Sequence, residues 1–165
     1  MSARLFAFRP VDGALRSDAL GDGAFFAPRG TLLVSRRKKF HRGVDLLVTP
    51  GEHVRAPADG VVVRRGTVYV TGVSFGLVEV ACGSVIHRVL YIDPTVAAGD
   101  TVRTGSTIGL AQDLRLRYGP RIKPHIHWET MLTGVLLDKG KKNHHKVWVN
   151  PLTLTHAVVP PLVSG

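Results

Sequence analysis

Short valine-rich runs that end at glycine constrain the fold of this chain more than any other feature. They lie at 60–66, 68–70 and 77–82, and a nearly continuous apolar run follows at 85–92. Valine-rich runs bounded by glycine are typical of strands, and the run at 85–92 is apolar enough for a strand covered on both faces. No segment keeps a helical period over three turns. The sequence therefore predicts a mostly β fold of antiparallel sheets, with one short helical turn around 111–117.

The length of 165 residues predicts one domain. A chain of this size buries roughly 70% of its unfolded surface and can build a core without disulfides. The single cysteine, Cys82, lies beside Val80 and Ala81 and is expected to be a buried, inert thiol. We expect an N-terminal arm at 1–22, which has no sustained period, a domain at 23–155 and a C-terminal tail at 156–165.

An internal similarity indicates a repeated turn-strand-turn segment. Residues 51–56 align with residues 99–104, since each begins with Gly and places Val three positions later. A chance match of a common turn remains the alternative. Duplicated halves also suit carrier domains that bear biotin or lipoyl groups. Those domains need an exposed lysine between the halves, and no lysine lies between Lys39 and Lys123.

Two histidine motifs point to a metal site. His41 and Asp45 are four residues apart, and His125 and His127 are two apart. On a strand, these even spacings place both members of a pair on one face. A catalytic zinc ion takes three nitrogen or oxygen ligands and keeps a fourth position open for water. His41, Asp45 and one histidine of the second pair would supply that set, and the other histidine would face the water as a base. A polar strand edge is the alternative for each motif alone.

The ordered series of motifs resembles the lysostaphin-type (LytM-like) zinc metallopeptidases, which cut peptide crosslinks in bacterial peptidoglycan. The matching segments are 41–46, 51–62, 99–109, 125–129 and 150–151. The resemblance covers about 23–154, and it implies the lysostaphin-like peptidase fold, a duplicated hybrid motif, and one zinc ion as cofactor.

The resemblance also implies a role for each site residue. It assigns the zinc ligands to His41, Asp45 and His127, with His125 assisting the attacking water and the oxyanion. Asp93 stands where active members carry a second catalytic histidine, in the segment 91–94. An ionised carboxylate can accept a proton from water but cannot donate to an oxyanion, so Asp93 would replace only half of that role.

Two functions stay open because of Asp93. The segments 91–94 and 118–120 are locally similar to the vertebrate leukocyte-derived chemotaxins, which share the fold and look like signalling proteins without peptidase activity. This chain lacks their cysteines. The first interpretation is a zinc endopeptidase that cleaves peptidoglycan crosslinks. The alternative is a catalytically weakened zinc-binding module that recognises cell wall or a protein partner.

A strong positive charge bears on the partner. Lys and Arg number 22 against 12 Asp and Glu, which gives a formal net charge of +10. The electrostatic field of such a charge favours binding to peptidoglycan or another anionic envelope polymer. We expect the basic runs at 36–39 and 138–146 to frame one rim of the metal cleft, although each alone is equally typical of a solvated surface. No motif or aromatic-studded strand indicates a specific nucleic-acid partner.

Hydropathy bears on location. The sequence has no apolar run of about 18 residues that would predict a transmembrane helix. Residues 1–10 do not resemble a secretory signal. We therefore expect a protein that is made in the cytoplasm and acts at the bacterial cell envelope. We also expect it to be a monomer. It would reach that site by another export route, or as a phage lysis or tail-associated enzyme.

Overall fold

The fold, taken from a computed structural model, is built from short antiparallel strands. The structure describes residues 7–31, 38–133 and 147–155. Their elements are β1 (Ser17–Asp18), β2 (Gly21–Asp22), β3 (Pro28–Thr31), β4 (Lys38–Phe40), β5 (Gly43–Leu47), β6 (His53–Arg55), β7 (Gly60–Val68), β8 (Phe75–Cys82), β9 (Val85–Pro94), β10 (Thr101–Val102), β11 (Thr107–Ala111), α1 (Arg115–Tyr118), β12 (His125–Leu132), β13 (Val147–Val149) and a 3-10 helix (Pro151–Leu154). All their strand pairs are antiparallel, which confirms the predicted fold class. Helix α1 overlaps the expected helical turn.

The main sheet divides at Tyr91 in β9. Its strand order is β10-β7-β8-β9-β11-β6. One edge of β9 pairs with β8 from Val85 to Ile92. The other edge pairs with β12 up to Leu90 and with β11 from Ile92 onward. Tyr91 lies between these two partners and has a φ of 70°, a left-handed value that is uncommon for a residue other than glycine. At this irregular residue the edge of β9 changes its partner from β12 to β11, so these two strands separate beside the start of β12.

The two similar sequence segments form equivalent short strands. They contain β6 and β10, which lie at opposite ends of the strand order. Each strand directs its valine, Val54 or Val102, into the core. The repeat seen in the sequence therefore corresponds to a repeat in the fold.

Two expectations about burial are wrong. Residues Phe75 to Val80 of β8 are all buried, whereas β9 alternates between buried and partly exposed positions. Strands β8 and β12, rather than β9, are thus the long strands buried on both faces. Cys82 is exposed because β8 leaves the core at its last two residues.

The described part of the N-terminal arm is a neighbour of β5. The Arg16 N–H donates to Asp45 O (2.9 Å), and the Leu47 N–H donates to Ala14 O (2.9 Å). β12 pairs with the opposite edge of β5.

The boundaries at 22 and 155 stay predictions. The tail, the basic run 138–146 and residues 36–37 lie outside the described residues, and Lys38 and Lys39 are exposed. None of the described helices has the length and apolar character needed to span a membrane.

Candidate metal centre

Pairing between β5 and β12 places the two metal motifs side by side. Asp45 and His127 are register partners in this pair, and His41 lies two residues before β5. Gly43 permits the close approach, because a Cβ at this position would lie 2.3 Å from the carbonyl oxygen of Trp128. The glycine within the first histidine motif thus has a steric cause.

Three polar atoms converge on one point between these segments. His41 Nε2 lies 2.8 Å from His127 Nδ1 and 3.1 Å from Asp45 Oδ1. His127 Nδ1 lies 2.9 Å from the same Asp45 oxygen. All three residues are buried. Each offers one ligand atom, and the three ligand atoms lie within 4.8 Å of one another.

Hydrogen bonds on the far sides of the two rings fix what faces that point. His41 Nδ1 lies 2.8 Å from the carbonyl oxygen of Ala24, which can only accept, so Nδ1 is the N–H donor. His127 Nε2 donates in the same way to Glu129 Oε1, at 3.1 Å. A neutral ring that donates through one nitrogen presents a lone pair at the other. Such outer hydrogen bonds are typical of metal-ligating histidines.

The electrostatics of the cluster favour a cation. Burial alone would raise the pKa of Asp45, but hydrogen bonds from His127 and His41 outweigh burial and hold that pKa well below its usual range. Burial alone would lower the pKa of His127, but hydrogen bonds to Asp45 and Glu129 raise it to about 9. The negative surroundings that favour this proton also favour a divalent ion, and the ion can bind His127 Nδ1 only after the proton has left. Two imidazoles and one carboxylate fit the donor preference of zinc.

His125 is adjacent to the cluster without being one of its three converging ligands. Its Nδ1 donates to the carbonyl oxygen of Lys123 (2.8 Å), and its Nε2 lies 3.7 Å from Asp45 Oδ2. The ring is buried and meets the Tyr91 ring edge-on at 5.6 Å. Burial lowers the pKa of His125 and so favours the neutral ring.

A cleft of about 410 Å³ opens over these groups. Its lining includes Tyr91, Tyr118, Arg16 and Arg29 in addition to the histidines. The tyrosines form a chain, since Tyr118 donates to Tyr69 and the hydroxyl oxygens of Tyr69 and Tyr91 are 3.3 Å apart. One wall of the cleft is therefore phenolic.

Asp93 lies apart from this arrangement. It is exposed in β9, where it pairs with Leu110 of β11. Among the described residues, the cleft wall at this part of β9 is formed by Leu90 and Tyr91. The catalytic role of Asp93 stays a prediction, and the structure does not bring its carboxylate into the cluster.

Sequence reasoning assigned no role to Glu129, although its position carried a signal. Glu129 follows His127 by two residues on β12 and therefore shares its face. Its second oxygen accepts from Arg88 Nη1 (3.1 Å) and from the Trp148 indole (3.4 Å). Because both oxygens have partners, the carboxylate is held in place against the His127 ring.

The described strands form an antiparallel β domain, and the buried His-Asp-His cluster within it is a candidate zinc centre. The family model for peptidase family M23 matches residues 39–139. The chain belongs to peptidase family M23. The resemblance drawn from the motifs is thereby confirmed, and the peptidase fold is favoured over a carrier domain.

Individual relatives agree with this assignment. The chain is 36% identical over 95 residues to the glycyl-glycine endopeptidase ALE-1 of Staphylococcus capitis, a match that covers 55% of this chain and 24% of that protein. It is 30% identical over 102 residues to leukocyte cell-derived chemotaxin-2 of Bos taurus, covering 61% and 66%. The catalytic domain of lysostaphin from Staphylococcus simulans superposes with a TM-score of 0.50 and 25% identity, covering 68% and 78%. The chain thus spans about a quarter of the endopeptidase it matches.

Proposed function

We propose that this protein is a zinc-dependent endopeptidase that cleaves peptide crosslinks of bacterial peptidoglycan. One observation carries the proposal: His41 Nε2, Asp45 Oδ1 and His127 Nδ1 converge within 3.1 Å of one another. These three residues would hold the zinc ion. The match to a glycyl-glycine endopeptidase supports a peptide substrate. The site of action would be the cell envelope, reached as a phage lysis or tail-associated enzyme or by export.

The remaining residues of the site would act on water and substrate. When bound, zinc lowers the pKa of a water molecule to about 7 and polarises a carbonyl group. His125 presents Nε2 toward the cleft beside Asp45 Oδ2, because its Nδ1 proton is engaged by Lys123 O. That nitrogen can accept the proton of an attacking water and return it to the leaving amine.

A catalytically weakened binding module is the second candidate. It is favoured by the wall of the cleft, where Tyr91 packs against His125 while Asp93 is exposed. The match to a chemotaxin supports the same candidate. Such a module would still hold zinc, so zinc content and cleavage separate the two functions.

The first prediction concerns zinc content. The wild-type chain should retain about one zinc ion per molecule after dialysis, because its three ligand atoms are held by the fold. The changes His41→Ala, Asp45→Ala and His127→Ala should each abolish retention. Metal analysis and release of peptides from purified peptidoglycan are the measurements.

His53→Ala is the matched control, since His53 is an exposed histidine on β6. It should keep both zinc and activity. A His127→Ala variant that keeps its zinc, beside a His125→Ala variant that loses it, would contradict the ligand assignment. A wild-type chain that holds zinc but releases no peptides would favour the binding module.

A further inference from the structure

The two oxygens of Asp45 face different partners. Oδ1 faces His41 and His127, at 3.1 and 2.9 Å. Oδ2 accepts from Arg16 Nη1 and from Arg29 Nη2, each at 3.2 Å. The carboxylate is therefore divided between the candidate ligand cluster and two guanidinium groups.

Arg16 is itself held firmly. Its Nε and Nη2 donate to the two oxygens of Asp18, both at 2.7 Å, and the side chains of this pair are 6% and 4% exposed. Burying such a pair removes both charges from water, and their attraction offsets that loss only when the remaining polar atoms also have partners. Nη1 of Arg16 finds its partner in Asp45. The ion pair thus points a fixed donor at the candidate ligand.

The backbone reinforces this contact. The Arg16 N–H donates to Asp45 O, the Asp45 N–H donates to Gly23 O, and the Gly23 N–H donates to Arg16 O, at 2.8 to 2.9 Å. A Cβ at Gly23 would lie 2.8 Å from the Asp45 Cβ, so the chain directly after the arm packs on the Asp45 side chain. Side chain and backbone of Asp45 are both fixed by the arm.

Asp18 also reaches the other side of the cleft. Its Oδ2 accepts from the Lys123 N–H at 3.0 Å. The carbonyl oxygen of Lys123 accepts from His125 Nδ1 at 2.8 Å. One buried carboxylate therefore connects the support of Asp45 to the support of His125.

We infer that Arg16 and Asp18 are positioning residues of the metal site, supplied by the N-terminal arm. Arg16 holds Asp45 so that one oxygen, Oδ1, faces the ion, and Asp18 keeps Arg16 and the Lys123 backbone in register. The inference rests on the proposed zinc site. Both residues lie outside the matched family segment 39–139. The arm is thus part of the site.

Zinc affinity tests this inference without any assay of activity. The change Arg16→Gln removes one of the two guanidinium donors to Asp45 Oδ2 and leaves only Arg29 Nη2. The carboxylate is then held less firmly and should bind the ion less well. Loss of an outer partner of a metal ligand lowers affinity by about 10–100-fold. We expect that loss in a chelator competition measurement. Arg16→Lys should recover part of it, because an ammonium restores the charge but cannot span Asp18 and Asp45 together.

Arg55→Gln is the control, since Arg55 pairs with Asp12 of the same arm, whose carboxylate is exposed. Its zinc affinity should equal that of wild type. Cobalt-substituted protein adds a second readout, because the visible spectrum changes if Asp45 binds through two oxygens. Should Arg16→Gln not fold, Arg16→Lys and Asp18→Asn carry the same comparison.

The measured affinities bear separately on the positioning role of Arg16 and on the zinc site itself. Wild-type affinity in Arg16→Gln, with the wild-type cobalt spectrum, would overturn the inference and leave the zinc site intact. A loss of affinity equal to that of Arg55→Gln would also overturn it, as a general effect of the arm. A wild-type chain that takes up no zinc would overturn the proposed site and this inference with it.

Discussion

Asp45 shows how much of the site depends on single residues. Its Oδ1 meets two imidazole nitrogens and its Oδ2 meets two guanidinium groups. A buried carboxylate whose two oxygens both have close polar neighbours is restricted in its orientation. The direction in which Asp45 points is therefore a property of its neighbours.

His125 and Asp93 should contribute very differently to cleavage. We expect His125→Ala to lower the rate of peptidoglycan cleavage by about 10²- to 10⁴-fold, the usual contribution of a group that transfers a proton. Asp93→Asn should lower the rate much less, because its carboxylate is exposed and the cleft wall is formed by Tyr91. Rates of peptide release at equal zinc content are the measurement.

Asp93→His provides the reciprocal variant, since it restores the residue expected of active relatives. An Asp93→Asn variant as impaired as His125→Ala would establish the role drawn from the sequence. Equal cleavage rates in wild type, His125→Ala and Asp93→Asn would contradict the proposed roles of His125 and Asp93.

At the residue scale, local spacing marked the two histidine motifs, and the family resemblance selected His127 over His125 as the third ligand. The residues His41, Asp45 and His127 belong to short motifs, and the structure brings the three together. Arg16 is 29 residues from Asp45, and Asp18 is 105 residues from Lys123. No local period reports a contact at such separations, because the folded arm alone creates it.

Strand β9 combines a regular alternation of side chains with one irregular residue, Tyr91. Its side chains alternate between the core and the surface, and His87 is on the buried side. The His87 Nδ1 pairs with Thr130 Oγ1 of β12 at 2.9 Å. The alternation ends at Tyr91, which has a left-handed backbone conformation. A pattern of apolar residues does not predict a positive φ at this position. The sequence therefore predicted the strand but not the bend that lines the cleft.

Buried His87 should make the stability of the fold depend on pH. Burial lowers its pKa from 6.5 to about 4 in the folded state. Between these values the unfolded chain binds a proton that the folded chain does not, so the free energy of unfolding falls as pH drops below about 6.5. The contribution of His87 should be about 2 kcal/mol between pH 7 and pH 5.

Chemical denaturation of the zinc-free protein at the two pH values is the measurement. His87→Gln should show a smaller loss between them than wild type, because the titrating group is gone. His53→Gln, at an exposed position, should keep the wild-type loss. Equal losses in wild type and His87→Gln would contradict the burial argument.

At the scale of the whole molecule, the net charge of +10 predicts salt-sensitive attachment. Binding to isolated cell walls should weaken between low and physiological salt, because the Debye length shortens to about 8 Å. Neutralising the basic run that precedes β13 should flatten this dependence. The four changes are to Gln at Lys139, Lys141, Lys142 and Lys146. Co-sedimentation with cell walls across a salt series is the measurement.

A control of equal net charge shows whether position matters. It replaces four exposed arginines by Gln, at Arg65, Arg103, Arg115 and Arg121. A smaller effect in this control supports attachment through the run. Identical curves for both variants would assign the effect to net charge alone, and a salt response unchanged from wild type would identify the run as a solvated surface.

The arm along β5 has a consequence for contacts between molecules. Residues 14–23 occupy the main-chain donors and acceptors on the edge of β5 that β12 leaves free. An uncovered strand edge is a template on which another chain can add a strand. A fragment that begins at residue 24 would expose such an edge beside Asp45, and aggregation through added strands would follow. By covering this edge, residues 14–23 thus prevent strand addition between molecules.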